Sequence, residues 1–168
     1  CAYSLIEKAD IFVQNYRVGV IDRLGLGWDT LHKLNPQLVY CSISGFGEQG
    51  PLAKEACADF IMQAYSGFAA LNGHHGERVE AFRFTGFIDL TTSIVAVQAL
   101  LAAILDRKRR GVGQKVEVSM LQAALEMQFT RVAEMLNTST RHQPSAAQNP
   151  CHCSGVCTVM KTSPSRAR

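Results

Sequence analysis

No uninterrupted apolar run in this sequence reaches the length of a bilayer span. The longest apolar run, Ile94 to Leu105, is interrupted by Gln98 and covers about 12 residues against the roughly 20 a span requires, so it is expected to be a buried core helix. There is no Walker A pattern and no G-x-G-x-x-G loop, since Gly25-Leu26-Gly27 lacks a third glycine, which removes the two commonest phosphate cradles. The amino end has no Met and no basic region leading into an apolar one, so no secretory leader is read there; the chain is expected to be an internal piece of a longer protein. Zinc is not expected either. Cys151-His152-Cys153 and Cys157 lack the paired spacing of structural zinc sites, and His74-His75 reads as a polar loop tip.

The basic charge is also missing where a polyanion would need it. The net charge is +3, but Cys1 to Leu136 holds 13 Lys and Arg against 14 Asp and Glu, net −1, while residues 137–168 hold 4 against none, net +4. A near-neutral body excludes a nucleic-acid footprint, and the cluster Arg107 to Arg110 sits where the end of a helix welcomes cations. The composition, 47% apolar and 18% charged, suits one globular core. Cys1, Cys41 and Cys57 lie scattered among apolar neighbours, as reduced thiols do, and a cytoplasmic location is expected.

What is present alternates between strand and helix. Ala2 to Lys8 is helix-like, Asp10 to Gln14 and Leu38 to Ile43 are β-rich, and Gly19 to Leu24 and Trp28 to Leu34 carry helical spacing between them. The order β, α, α, β calls for a parallel pair joined by a crossover, an α/β arrangement. Ser44 to Pro51 is a glycine-punctuated loop after the second strand, where open parallel sheets place ligand-binding turns. Asp59 to Phe68 predicts a helix whose core face is Phe60, Ala64 and Phe68. An apolar helix from about Leu90 to Arg109 then leads through Gly111-Val-Gly-Gln114 into the strand Lys115 to Val118. Ser119 is expected to cap a helix Met120 to Leu136 with Leu121, Ala124, Leu125, Val132 and Leu136 on one face. The expected organisation is therefore an α/β region over 1–136, followed at 137–168 by a linker or disordered tail.

Two constellations can carry chemistry. Asp89, between Gly86-Phe87-Ile88 and the apolar helix, is either an N-cap or an exposed carboxylate able to form a covalent intermediate, and spacing does not choose between them. Asn15, Tyr16 and Arg17, with Arg23 further on, follow the first strand. The two arginines are either solvated or placed to meet phosphate groups beside a helix start.

Five segments in order, Ala9-Asp-Ile-Phe-Val-Gln-Asn-Tyr-Arg17, Arg23-Leu-Gly-Leu-Gly27, Leu34-Asn-Pro-Gln-Leu-Val-Tyr40, Ser42-Ile-Ser-Gly-Phe-Gly47 and Gly113-Gln-Lys-Val116, together resemble the family III CoA-transferases. The resemblance implies part of a Rossmann-like open parallel sheet, with 1–136 a partial large CoA-binding domain and 137–168 a linker or the start of the small one, in an enzyme that moves coenzyme A between carboxylic acids, with CoA and acyl-CoA as substrates and no permanently bound cofactor. It makes Asp89 the nucleophile, passing through an aspartyl-acyl anhydride and an aspartyl-CoA thioester, with amides at the helix start holding the oxyanions. It makes Asn15, Tyr16, Arg23 and, less closely, Arg17 the contacts to CoA; the family usually has Arg-Pro-Gly where this chain has Arg17-Val18-Gly19. It further implies an interlocked homodimer, with no nucleic-acid or membrane partner. The family's racemases use a His where this chain has Ala58, ahead of Asp59, so racemase chemistry ranks second and a non-catalytic CoA-binding remnant third. Asp59 is expected to be a helix N-cap or an acid in the site wall.

Overall fold

The computed structural model of the chain describes residues 1–71, 81 and 85–138. Its centre is a parallel sheet of three strands in the order β1 (Ile11–Gln14), β2 (Val39–Ser44), β3 (Lys115–Ser119). Ile11 pairs with Val39 and Gln14 with Ser42, while Tyr40 pairs with Lys115 and Ser44 with Ser119. The middle strand is buried at Val39, Tyr40, Cys41 and Ser42, as expected of a parallel strand covered on both faces.

One face is covered by α1 (Ala2–Ile6), α2 (Val20–Arg23) and α3 (Trp28–Leu34). There Ile6, Leu31, Leu38 and Tyr40 form a core with Phe12 and Trp28 packed against it. Each fully buried leucine contributes about 2 kcal/mol. The helix α3 stops at Asn35, ahead of a proline that disfavours helical backbone before it. The Asn35 amide then donates to the Ile6 and Ala9 carbonyls at 2.9 and 3.0 Å, fastening α1 to α3.

The other face is covered by α5 (Phe87–Arg110), which runs against the strand direction. Cys41, Ala96 and Val118 are buried between them, and the small residues Ala96, Ala99 and Ala103 let helix and sheet approach closely. The helix closes at Gly111, in the left-handed conformation with φ 71°, whose N–H donates to the Arg107 carbonyl. Arg107 itself reaches back under the sheet, donating to the Asp10 carboxylate at 2.9 Å and to the Asp10 and Gln37 carbonyls at 3.2 Å. The next turn depends on Gly113, whose N–H donates to the Pro36 carbonyl at 2.8 Å.

Several expectations change. The apolar helix expected from about Leu90 to Arg109 is found over Phe87–Arg110, but contrary to expectation its 24 residues are by length and composition sufficient to cross a membrane, and 22% of its most apolar stretch is buried. The expected buried core helix is thus buried along one side only. On the other side Leu90, Ile94, Val97, Leu101 and Leu105 form an exposed stripe at helical spacing. The helix expected over Asp59 to Phe68 is α4 (Asp59–Tyr65) followed by a 3-10 turn (Phe68–Leu71), and it buries Met62 and Gln63 rather than Phe60 and Ala64. The single helix expected after Ser119 is two, α6 (Met120–Met127) and α7 (Phe129–Thr138), because the Gln128 side chain turns in to donate to the Ser66 carbonyl at 3.0 Å. Met120, Ala123 and Ala124 are buried there, whereas Leu125 and Leu136 are exposed. Ser119 does cap α6, its hydroxyl accepting from the Gln122 amide at 3.2 Å. His74, His75 and the segment Cys151 to Cys157 lie outside the described residues.

A candidate active site at the carboxyl edge of the sheet

Parallel strands bring their carboxyl ends to one edge, and a helix antiparallel to them brings its amino end there as well. At that edge lies a cavity of about 460 Å³. Its walls are Asn15, Tyr16 and Arg17 after β1, Ser44 and Gly45 after β2, Cys57, Ala58 and Asp59 at the start of α4, Asp89, Thr92 and Ser93 on the first turns of α5, and Met120 after β3.

Local chemistry shapes each wall. Gln14 is buried, donates to the Ser42 hydroxyl at 2.6 Å and accepts from the Tyr16 amide at 2.9 Å, which bends the chain sharply after β1. Gly45 comes so close to Cys57 that an added Cβ would stand 2.3 Å from the cysteine Cβ. Its carbonyl accepts from the Leu121 amide at 3.0 Å. The loop is pinned further on, where Glu48 pairs with Lys115 on β3, which also meets Glu117 at 2.7 Å. Burial pushes the Glu48 carboxyl up, but hydrogen bonds from Lys115 and Ser42 outweigh it and hold it below the usual carboxylate range.

The amino end of α5 is arranged unexpectedly. Its N-cap is Gly86, which has no side chain to offer, and Asp89 stands in the first turn rather than at the cap. The donors that an N-cap side chain would serve are met by Asp59, 30 residues earlier in the chain. One of its carboxylate oxygens accepts from the Ile88 amide at 2.7 Å and from the Asp89 amide at 3.0 Å. Asp59 is not the N-cap of its own helix, since Ala58 holds that position. It is a wall of the cavity and the cap of a different helix. The expectation that these first-turn amides stand ready for an oxyanion is therefore corrected: the Ile88 and Asp89 donors are already engaged.

Asp89 is exposed to the cavity. Partial burial, and then the charge of Asp59, raise its pKa above the ordinary aspartate value. Cys57, the other nucleophile at hand, is held as a thiol, because burial comes first and the Asp89 charge adds to it. The carboxylate is thus the better candidate to attack an electrophile. Arg17 provides the cation of the cavity lining. Of the four residues expected to contact a ligand, Asn15, Tyr16 and Arg17 line the cavity with Asp89. Arg23 lies outside its lining, its guanidinium passing over Gly19.

Sequence reasoning missed the link between Asp59 and α5 and the one between Glu48 and Lys115. The first had a partial signal, an acid at a helix start followed later by a cap glycine; the second had none, as its partners are 67 residues apart.

Comparison with known proteins gives this geometry a context. Residues 1–162 match CoA-transferase family III. The chain is 35% identical over 146 residues to an acetyl-CoA:oxalate CoA-transferase of Acetobacter aceti, covering 87% of this chain and 37% of the relative. It is 36% identical over 118 residues to a succinate–glutarate CoA-transferase of Agrobacterium fabrum, covering 70% and 29%. Among solved structures it is similar to a CAIB/BAIF family protein from Brucella suis, with a TM-score of 0.82 and 29% identity over 86% of this chain and 38% of that one. The chain spans about a third of the length of the relatives it matches.

Proposed function

Because the chain belongs to family III of the CoA-transferases, we propose that it carries the nucleophile and part of the coenzyme A site of an enzyme that moves CoA between carboxylic acids. The observation that carries this reading is the placement of the Asp89 carboxyl in one cavity with Asn15, Tyr16 and Arg17.

In the proposed reaction the Asp89 carboxylate attacks the carbonyl of a donor acyl-CoA, the C–S bond breaks, and CoA leaves as the thiolate. The thiolate then attacks the aspartyl carbonyl of the mixed anhydride, releasing the first acid as a carboxylate and leaving an aspartyl-CoA thioester. The acceptor carboxylate attacks that thioester, and the departing thiolate returns to the acyl carbonyl of the second anhydride, restoring Asp89. The partly desolvated Asp89 is a more basic and hence stronger carboxylate nucleophile than a free aspartate. Arg17 and the polar turn at Asn15 suit the phosphate-bearing end of CoA. The named relatives act with oxalate, succinate and glutarate, which suggests small carboxylic acids as the exchanged groups. Ala58, in the cavity wall, has no side chain that can abstract an α-proton, which favours transfer over racemisation. We also propose that the intact protein is an interlocked homodimer in the cytoplasm.

The test is mass spectrometry of the intact gene product incubated with acyl-CoAs and quenched with hydroxylamine, as wild type and as Asp89→Asn. A hydroxamate on Asp89, absent from the variant, is expected. Retained CoA binding with no such adduct would overturn the covalent route.

A further inference from the structure

An aspartate in the first turn of a helix ordinarily gains from the free amides there. Asp89 does not, because Asp59 has taken them: Ile88 and Asp89 both donate to one Asp59 oxygen, while the other accepts from the fully buried Gln63 amide. Gly86 makes the arrangement possible. A Cβ there would stand 3.0 Å from an Asp89 oxygen and 3.5 Å from an Asp59 oxygen.

We propose that Asp59 is a positioning residue for Asp89: it caps α5 from α4, fixes the Asp89 backbone at the cavity wall, and leaves the Asp89 carboxyl free of the helix amides to face the substrate. The catalytic meaning of this placement rests on Asp89 being the acyl acceptor, whereas the placement itself does not. A second consequence follows from charge. The titratable and charged groups that line the cavity with Asp89 are Asp59 from α4, Cys57 and Glu55 from the segment before it, and Tyr16 and Arg17 from the loop after β1; α6 contributes only Met120. Asp59 is the acid whose charge raises Asp89's affinity for a proton. One residue thus holds the nucleophile in place and keeps it basic, two effects that a neutral cap would not combine.

The two effects separate by substitution. Asp59→Asn keeps an acceptor oxygen and removes the charge; Asp59→Ala removes both. Carbon-detected NMR titration of the Asp89 carboxyl and exchange rates of the Ile88 and Asp89 amides are measured in the wild type and both variants, with circular dichroism confirming that each is folded. In Asp59→Asn the Asp89 midpoint is expected to move down in pH while both amides stay protected. In Asp59→Ala exchange at the two amides is expected to quicken by about tenfold or more, the loss of a hydrogen bond to a charged acceptor. An Asp89 midpoint unmoved in Asp59→Asn overturns the proposal, as does unchanged exchange in Asp59→Ala; should Asp59→Ala not fold, the titration of Asp59→Asn decides. These readouts need no turnover. A missing hydroxamate on Asp89 alongside a shifted midpoint would therefore sink the acyl-acceptor reading and leave this one standing.

Discussion

Replacing Gly113 by alanine tests how the sheet is held to the turn that follows α5. A Cβ built there lies 2.0 Å from the Leu38 carbonyl oxygen and 2.5 Å from its carbon, both of them backbone. An ordinary carbon–oxygen approach is about 3.3 Å, so the turn must retreat by roughly 1 Å or more. That movement breaks the bond from the Gly113 amide to the Pro36 carbonyl at 2.8 Å and strains the one from Tyr40 to the Gln114 carbonyl at 3.0 Å, with which the β2–β3 ladder begins. One or two lost hydrogen bonds at about 1 kcal/mol each, with overpacking of about 1–3 kcal/mol, give roughly 2–5 kcal/mol. Such a loss is a large share of a domain's usual stability. Gly111→Ala is the control. Nothing lies within 4 Å of its added Cβ and only the left-handed backbone, at φ 71°, resists it, at about 1–2 kcal/mol. Urea unfolding followed by far-ultraviolet circular dichroism measures both, and a Gly113→Ala variant no less stable than Gly111→Ala would refute the reasoning.

Two further outcomes are expected. Folding raises the Asp89 pKa, so its contribution to stability is present when it is protonated and is lost as the pH rises through the folded value. Asp89→Asn should therefore melt above the wild type at pH 7 and level with it below the ordinary aspartate value of 3.8; a lower melting point at pH 7 would contradict the assigned direction. The stripe on α5 should make this chain bind dyes that report apolar surface, and Ile94→Glu with Leu101→Glu, both sites well exposed, should lower that binding without loss of helicity. Undiminished dye binding would move the exposed surface elsewhere.

Local rules explain which parts were legible. The β-branched runs at Ile11 and Val39, the stop at Asn35-Pro36 and the cap at Ser119 are decided within a few residues, so the places of these strands along the chain and the start of α6 follow from sequence. Where a distant partner decides, the reading failed. Gln128 breaks the long helix because Ser66 is there to receive it, and Phe60 faces outward because Met62 and Gln63 fit the space beneath α4. The site divides in the same way. Asn15, Tyr16, Arg17 and Asp89 meet because topology brings a strand end and an antiparallel helix start to one edge. The capture of the α5 amides by Asp59 spans 30 residues and carries no local period.

The parallel pairing of β2 with β3 also sets a timetable. Val39 to Ser44 leaves the ribosome long before its partner Lys115 to Ser119, with the whole of α5 between them. At roughly 5–20 residues per second, that edge waits on the order of 4–15 s for its neighbour. During the wait Val39-Tyr40-Cys41-Ser42-Ile43, paired with β1 on one side only, keeps an open edge of the kind that recruits other chains. The same pairing carries Met120 to the cavity wall. In the cell, then, the nascent strand's need for protection ends at the moment this wall of the cavity is set in place, when β3 docks.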